Sequence, residues 1–473
     1  MPSHHWVWIH FLRGEPHVRV KDCWSNPIPF CSSAFTLPLV FCAKGKDDTE
    51  GEDRSIPAVE SIIPDNAATG FSTTGSITIT FSKPIDKQTF TTDSDGQCSM
   101  NVQVSTDSFN TCLKLESTPD VPSKVWTLKP DTYNNKFPSG TTISIKIKKE
   151  IKDGYGTAME ADNSSTFTTE THCSTSSDCS WSQVTTVGNL TGRSGHSGLV
   201  FDKKMWVFGG YDSNTDYYQD VMSSPDTSSS TKGNWDNLTT TLVWTKRNEH
   251  ISLSFKNKMW VIGGKNASTS LADIWSSSDG LIWDNVTLSG TPPSARSGHA
   301  GVIYNGKMLV FGGQSGSGWV NDVYSSSDGA EWAKETDAGW SKRSGHAAVV
   351  YDNKIWVMGG NDNTSDLQDV WTYDGSSWTQ QTSPSVTWSG MKDHEAQVFD
   401  GKIWILGGND NGSRIKKYFS FNGTSWSQAS IPDWSQRSSM VSYEFDNYLW
   451  VVGGDNGTSG STHMNDVWKY GKP

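Results

Sequence analysis

Apolar and polar positions alternate in short stretches from about residue 56 onward. The segments Ser76-Ile77-Thr78-Ile79-Thr80-Phe81, Val125-Trp126-Thr127-Leu128 and Thr142-Ile143-Ser144-Ile145-Lys146-Ile147 keep a period of two, the pattern of strands with one face buried. Several such strands between residues 56 and 170 predict a β-sandwich. Beyond residue 180 the apolar runs come in pairs, joined at Asp202-Lys203-Lys204, Asn305-Gly306-Lys307 or Asp400-Gly401-Lys402, which read as hairpin turns. Each second run, such as Met205-Trp206-Val207-Phe208 or Lys354-Ile355-Trp356-Val357-Met358, leads straight into a Gly-Gly pair.

Those pairs start at residues 209, 263, 312, 359, 407 and 453, so the pattern repeats every 46 to 54 residues. Sixteen residues before them stand Arg193, Arg247, Arg296, Arg343, Met391 and Arg437, and three copies open with Arg-Ser-Gly-His. A fixed offset across a hairpin places the arginines and the Gly-Gly pairs at the same end of each repeat. A variable polar loop follows, then a third strand such as Asp273-Ile274-Trp275 or Asp369-Val370-Trp371, then a turn and a fourth strand carrying Trp235, Trp283, Trp332, Trp378 or Trp426. Four antiparallel strands per repeat make a propeller blade. The sixth copy stops after its third strand, and Trp181-Ser182-Gln183, which looks like Trp426-Ser427-Gln428, supplies the missing fourth. The ring is expected to close through this amino-terminal strand, near residues 181–186.

The Gly-Gly pairs, the third-strand aromatic and the fourth-strand Trp resemble the kelch repeat, over about 180–473. Ile63-Pro64-Asp65, Phe81-Ser82-Lys83-Pro84-Ile85-Asp86, Leu128-Lys129-Pro130, Ile151-Lys152-Asp153-Gly154-Tyr155-Gly156 and Phe167-Thr168-Thr169 resemble the bacterial Ig-like domain of S-layer proteins. The expected fold is therefore all-β: a six-bladed kelch propeller over residues 173–473 preceded by an Ig-like β-sandwich over residues 56–172. Residues 43–55 form an acidic linker and residues 1–42 a leader.

The abundance of Trp (23) and Gly (44) suits short strands and many turns. A formal net charge of −12 with no basic cluster argues against nucleic acid as a partner. Residues 28–41 lack ionised groups and follow Arg13, Arg19 and Lys21, as in a signal peptide. The Leu39-Val40-Phe41-Cys42 stretch resembles a lipoprotein cleavage site, with Cys42 as the lipidated residue and a lipid anchor as the membrane contact. Export would leave Cys98, Cys112, Cys173 and Cys179, an even number suited to two disulfides formed between local pairs. Free thiols in a cytosolic chain are the alternative.

The variable loops after the Gly-Gly pairs share a face with the arginines, and that face is the expected binding site. Arg193, Arg247, Arg296, Arg343 and Arg437 could meet carboxylates or phosphates there; equally, they could be a repeated hydrogen-bond device that caps each blade. Met391 breaks their ring. Tyr211, Tyr217 and Trp319 lie inside the loops and are candidate ligand contacts. Trp244, Trp340, Trp388 and Trp434 fit packing between blades better than ligand stacking. Runs such as Asn361-Asp362-Asn363 are turn formers lacking the carboxylate spacing of a calcium loop, so neither metal nor cofactor is assigned.

A copper radical oxidase on this fold needs a Cys joined to a Tyr within the blades, and no Cys follows residue 179. Ser277–Trp283 and Ser326–Trp332 approach the Asp-box of sialidases with one residue fewer. The expected function is a monomeric, exported or surface-anchored binding protein for a protein or glycan ligand. The alternative is a carbohydrate-active enzyme, glycosidase-like or, as the kelch resemblance implies, mutarotase-like.

Overall fold

The computed structural model describes residues 55–472 except 95, 132–135, 174–177, 185–187, 213–215, 225–234, 240–243, 382–387, 430–432 and 458–462. The leader, Cys42 and nearly all of the linker lie outside the described residues.

The first module is a sandwich of two four-stranded sheets. One runs Val59–Ile63, Ile77–Phe81, Val125–Pro130, Leu115–Pro119 in spatial order; the other runs Ala68–Phe71, Asn163–Thr169, Thr142–Ile147, Val102–Ser105. Alternation along each strand sends Ile77, Ile79, Phe81, Ile143, Ile145 and Ile147 into a shared core with Trp126 and Phe137. A disulfide joins Cys98 to Cys112 in this module, and a second joins Cys173 to Cys179 just before the next.

Among the described residues the second module is built on six blade sheets, each running outward from a strand at the centre, with two small sheets beside them, Arg296–Ser297 with the Gln314–Trp319 hairpin and Asn409–Asp410 with Ser413–Arg414. The central strands are Ser197–Phe201, Ile251–Phe255, Ala300–Tyr304, Ala347–Tyr351, Glu395–Phe399 and Val441–Phe445, and each contacts its neighbours on both sides. Apolar residues fill both faces of each blade because both are covered by the adjacent blade. Blade 6 takes its fourth strand, Ser180–Val184, from the amino-terminal side, with Trp181 opposite Tyr470.

A closed circuit of backbone hydrogen bonds ties the blades at the axis. Gly195, Glu249, Gly298, Gly345, Asp393 and Ser439 each donate N–H to the carbonyl of the equivalent residue in the preceding blade, at 2.7–2.9 Å. All six are in the left-handed region, with φ between 51° and 66°, which glycine adopts at no steric cost and other residues rarely do.

The sandwich packs against the hairpin turns joining first to second strands. Asp131 pairs with Lys203 of blade 1 at 2.5 Å, Lys114 with Asn257 of blade 2 at 2.5 Å, and Lys136 with Asp446 of blade 6 at 2.8 Å. Asn110 bonds Asn353 of blade 4, and the backbone of His172 and Cys173 bonds the Asp400 carboxylate of blade 5. Contacts to five of six blades lay the sandwich across this end of the central channel, leaving the opposite end, the mouth, open.

Candidate functional site

Each arginine blade is locked by the same set of bonds. The guanidinium of Arg343 donates to the Gly359 carbonyl at 2.9 Å and, in a fork, to both Asp369 oxygens at 2.6 and 2.8 Å. Arg193, Arg247, Arg296 and Arg437 do the same with Asp220, Asp273, Asp322 and Asp466. All five arginines are 0–1% exposed. In blade 5, where Met391 stands, Lys417 takes the place of the aspartate. Both partners of the buried pair are thus replaced together, which avoids leaving an unpaired charge.

The Gly-Gly pair has a matching reason. A Cβ on Gly312 would lie 2.6 Å from His346 Cε1 of the next blade, and one on Gly313 2.7 Å from His299 Cβ of its own. The recurring His therefore wedges between blades, and His196 Nε2 sits 3.2 Å from the Val452 carbonyl. Trp244, Trp340 and Trp434 are buried, with the guanidinium of the arginine three residues on lying 5.0–5.9 Å from the ring centre.

Above this scaffold the mouth is irregular. Tyr211 and Tyr217 are half-buried and stacked, ring centres 5.9 Å apart, with His463 against Tyr211 at 4.9 Å. Across the ring, Trp319 lies on the short hairpin Gln314–Trp319, its indole N–H buried without a partner. Ion pairs stud the rim: Lys265 with Glu249 at 2.6 Å, Lys392 with Asp366 at 3.6 Å, and Arg414 with Asp455 at 2.6 Å. The rim surrounds a cavity of about 330 Å³ in the channel, walled by the starts of the first strands and including Glu249, Asp393 and Glu395.

A family model described as the KLHDC2/KLHL20/DRC7 Kelch-repeats domain matches residues 155–278, 277–374 and 328–471. The chain belongs to the kelch-repeat family. A model described as a bacterial Ig-like domain matches residues 53–169 of this kelch protein. Among solved structures it is similar to one titled "Structure of YjhT", at 16% identity and a TM-score of 0.50, covering 59% of this chain and 96% of that one; this likeness concerns the fold. A search of curated protein sequences found no match.

With the kelch blade defined, the expected site divides. The arginine ring does not face a ligand: Arg193, Arg247, Arg296, Arg343 and Arg437 are buried, with their forks taken by aspartates and carbonyls, so the blade-capping alternative describes them. Tyr211 and Tyr217 of blade 1 and Trp319 of blade 3 do reach the mouth. The Asn361-Asp362-Asn363 run holds its own turn, Asp362 accepting from Thr364 and Ser365 backbone N–H. The Asp279 and Asp328 turns likewise fold back on their own backbone.

Sequence reasoning passed over Glu249, Asp393, Glu395, Lys265, Lys392, Arg414 and His463. A signal for two of them existed. The third position of Arg-Ser-Gly-His is Gly in three blades but Glu249 and Asp393 in two others, where a side chain at positive φ is strained.

Proposed function

We propose that this chain is an exported binding protein that recognises a protein partner at the propeller mouth. The observation that carries the reading is where the repeat breaks. Buried arginines, glycines, histidines and tryptophans recur blade after blade, while the rim loops and the acidic residues of the cavity, Glu249, Asp393 and Glu395, do not, as in a recognition surface on a repeat scaffold. The two disulfides and the bacterial Ig-like module support an oxidising compartment. Anchoring through a lipid on Cys42 belongs to the same proposal, and the mass of the mature amino terminus tests it: a diacylglyceryl Cys42 is expected, and an intact Met1 would overturn export.

Probing peptide and glycan arrays with the full chain tests the binding mode. Saturable peptide signal that weakens at least tenfold in Tyr217→Ala and Trp319→Ala is expected. Signal indifferent to both variants would move the site away from the mouth. A glycan hit that is chemically altered would favour the carbohydrate-active alternative.

A further inference from the structure

The cavity is charged in one sense only. Glu249, Asp393 and Glu395 line it, and no Lys or Arg does. Its five histidines bring no positive charge, since burial holds His196 and His299 down at about 3 and His394 at about 4, and pushes His250 and His346 well below the usual range. The rim cations are already engaged, Lys265 by Glu249, Lys392 by Asp366 and Arg414 by Asp455. Among the described residues Asp393 and Glu395 form no ion pair; Glu395 accepts a long hydrogen bond from Ser442 Oγ at 3.4 Å. The cavity wall also holds Ser197, more than nine-tenths buried, whose Oγ has no hydrogen-bond partner. A buried hydroxyl in that state calls for a ligand or a water.

We propose that this cavity takes an organic cation, an alkylammonium or guanidinium group, with Asp393 and Glu395 as its counter-ions and Ser197 Oγ as a further acceptor. The inference rests on the mouth being the ligand site, and it gives that site a chemistry. A volume of about 330 Å³ is near the small end of ligand pockets and suits a lysine or arginine side chain of a partner, or a free diamine. Burial, then Glu249, raise Asp393 to about 6 against Lys392 and Arg414, with Asp366 adding to the rise. Burial raises Glu395 to about 8 against the Ser442 hydroxyl, and its charge in turn helps burial raise Tyr443. An arriving cation favours both carboxylates, so protons leave on binding and affinity rises from pH 6 to pH 8.

Calorimetric titration of the full chain with Nα-acetyl-lysine amide, Nα-acetyl-arginine amide, putrescine and the neutral Nα-acetyl-norleucine amide tests this. Saturable binding of the cations is expected, several-fold tighter at pH 8 than at pH 6, absent for norleucine, and at least tenfold weaker in Asp393→Asn and Glu395→Gln. Asn tolerates the left-handed backbone at 393, and a thermal melt confirms that each variant is folded. Amino-acid amides binding tighter than putrescine point to a partner's side chain; the reverse points to a free diamine. Equal binding of norleucine, no binding of any cation, or variants that bind like wild type would overturn the proposal. Array peptides that bind at the mouth whatever their Lys or Arg content would overturn it while leaving the mouth as the ligand site.

Discussion

Arg343 and Asp369 exemplify the device that five blades repeat: a guanidinium at 0% exposure held by a carboxylate and a glycine carbonyl. Removing one member of such a pair leaves the other charge buried and costs about 3–5 kcal/mol, whereas replacing both by apolar groups is often near neutral. Arg343→Met is therefore expected to lose about that much stability in a urea titration, and Arg343→Met with Asp369→Leu to recover most of it. A single variant as stable as wild type would contradict the structural role. The sequence showed the arginine recurring but not the direction of its fork. The aspartate 26 to 29 residues further on was equally visible, and its absence beside Met391 marked the two as partners. Glu249 and Asp393 were harder to see because a carboxylate at a glycine position looks like ordinary repeat variation.

At the scale of elements, the seam of the ring is the part most open to challenge. Trp181 enters a cluster with Tyr418, Trp434 and Tyr470 from blades 5 and 6, so one amino-terminal strand buries the outer edge of the last blade. Trp181→Ala is expected to cost about 3–5 kcal/mol, the range for a buried aromatic cut to Ala, and to lower the urea midpoint accordingly. A midpoint unchanged from wild type would mean that the strand hangs loosely on the ring. Strand order, hairpins and this closure were legible because Gly-Gly spacing and Trp181-Ser182-Gln183 report local periodicity. The backbone circuit at the axis was not, since it links residues 46 to 54 apart, closes between Gly195 and Ser439, and depends on φ values that only the assembled ring imposes.

For the molecule as a whole, the Ig-like sandwich closes the rear of the channel. Its contacts are single polar residues such as Asp131 with Lys203 and Lys136 with Asp446, dispersed along the sequence and without a pattern, which is why nothing in the chain announced them. Partly exposed ion pairs contribute little each, so the interface acts by the surface it covers. Scanning calorimetry of the full chain should give one transition, and deletion of residues 56–170 should lower the melting temperature of the propeller. Two separate transitions, with the propeller melting at an unchanged temperature after deletion, would show that the modules are independent.

Placement of the ligand inside the channel is the central claim, and Met440 offers the most direct view of it. This residue is 1% exposed and lines the cavity, while Met159 sits in the sandwich core. In a spectrum of the full chain labelled with ¹³C at the methionine methyls, titration with Nα-acetyl-lysine amide should shift the Met440 signal saturably and leave Met159 in place. A saturable ligand that moves other methionines and not Met440 would put the binding site somewhere other than the propeller mouth.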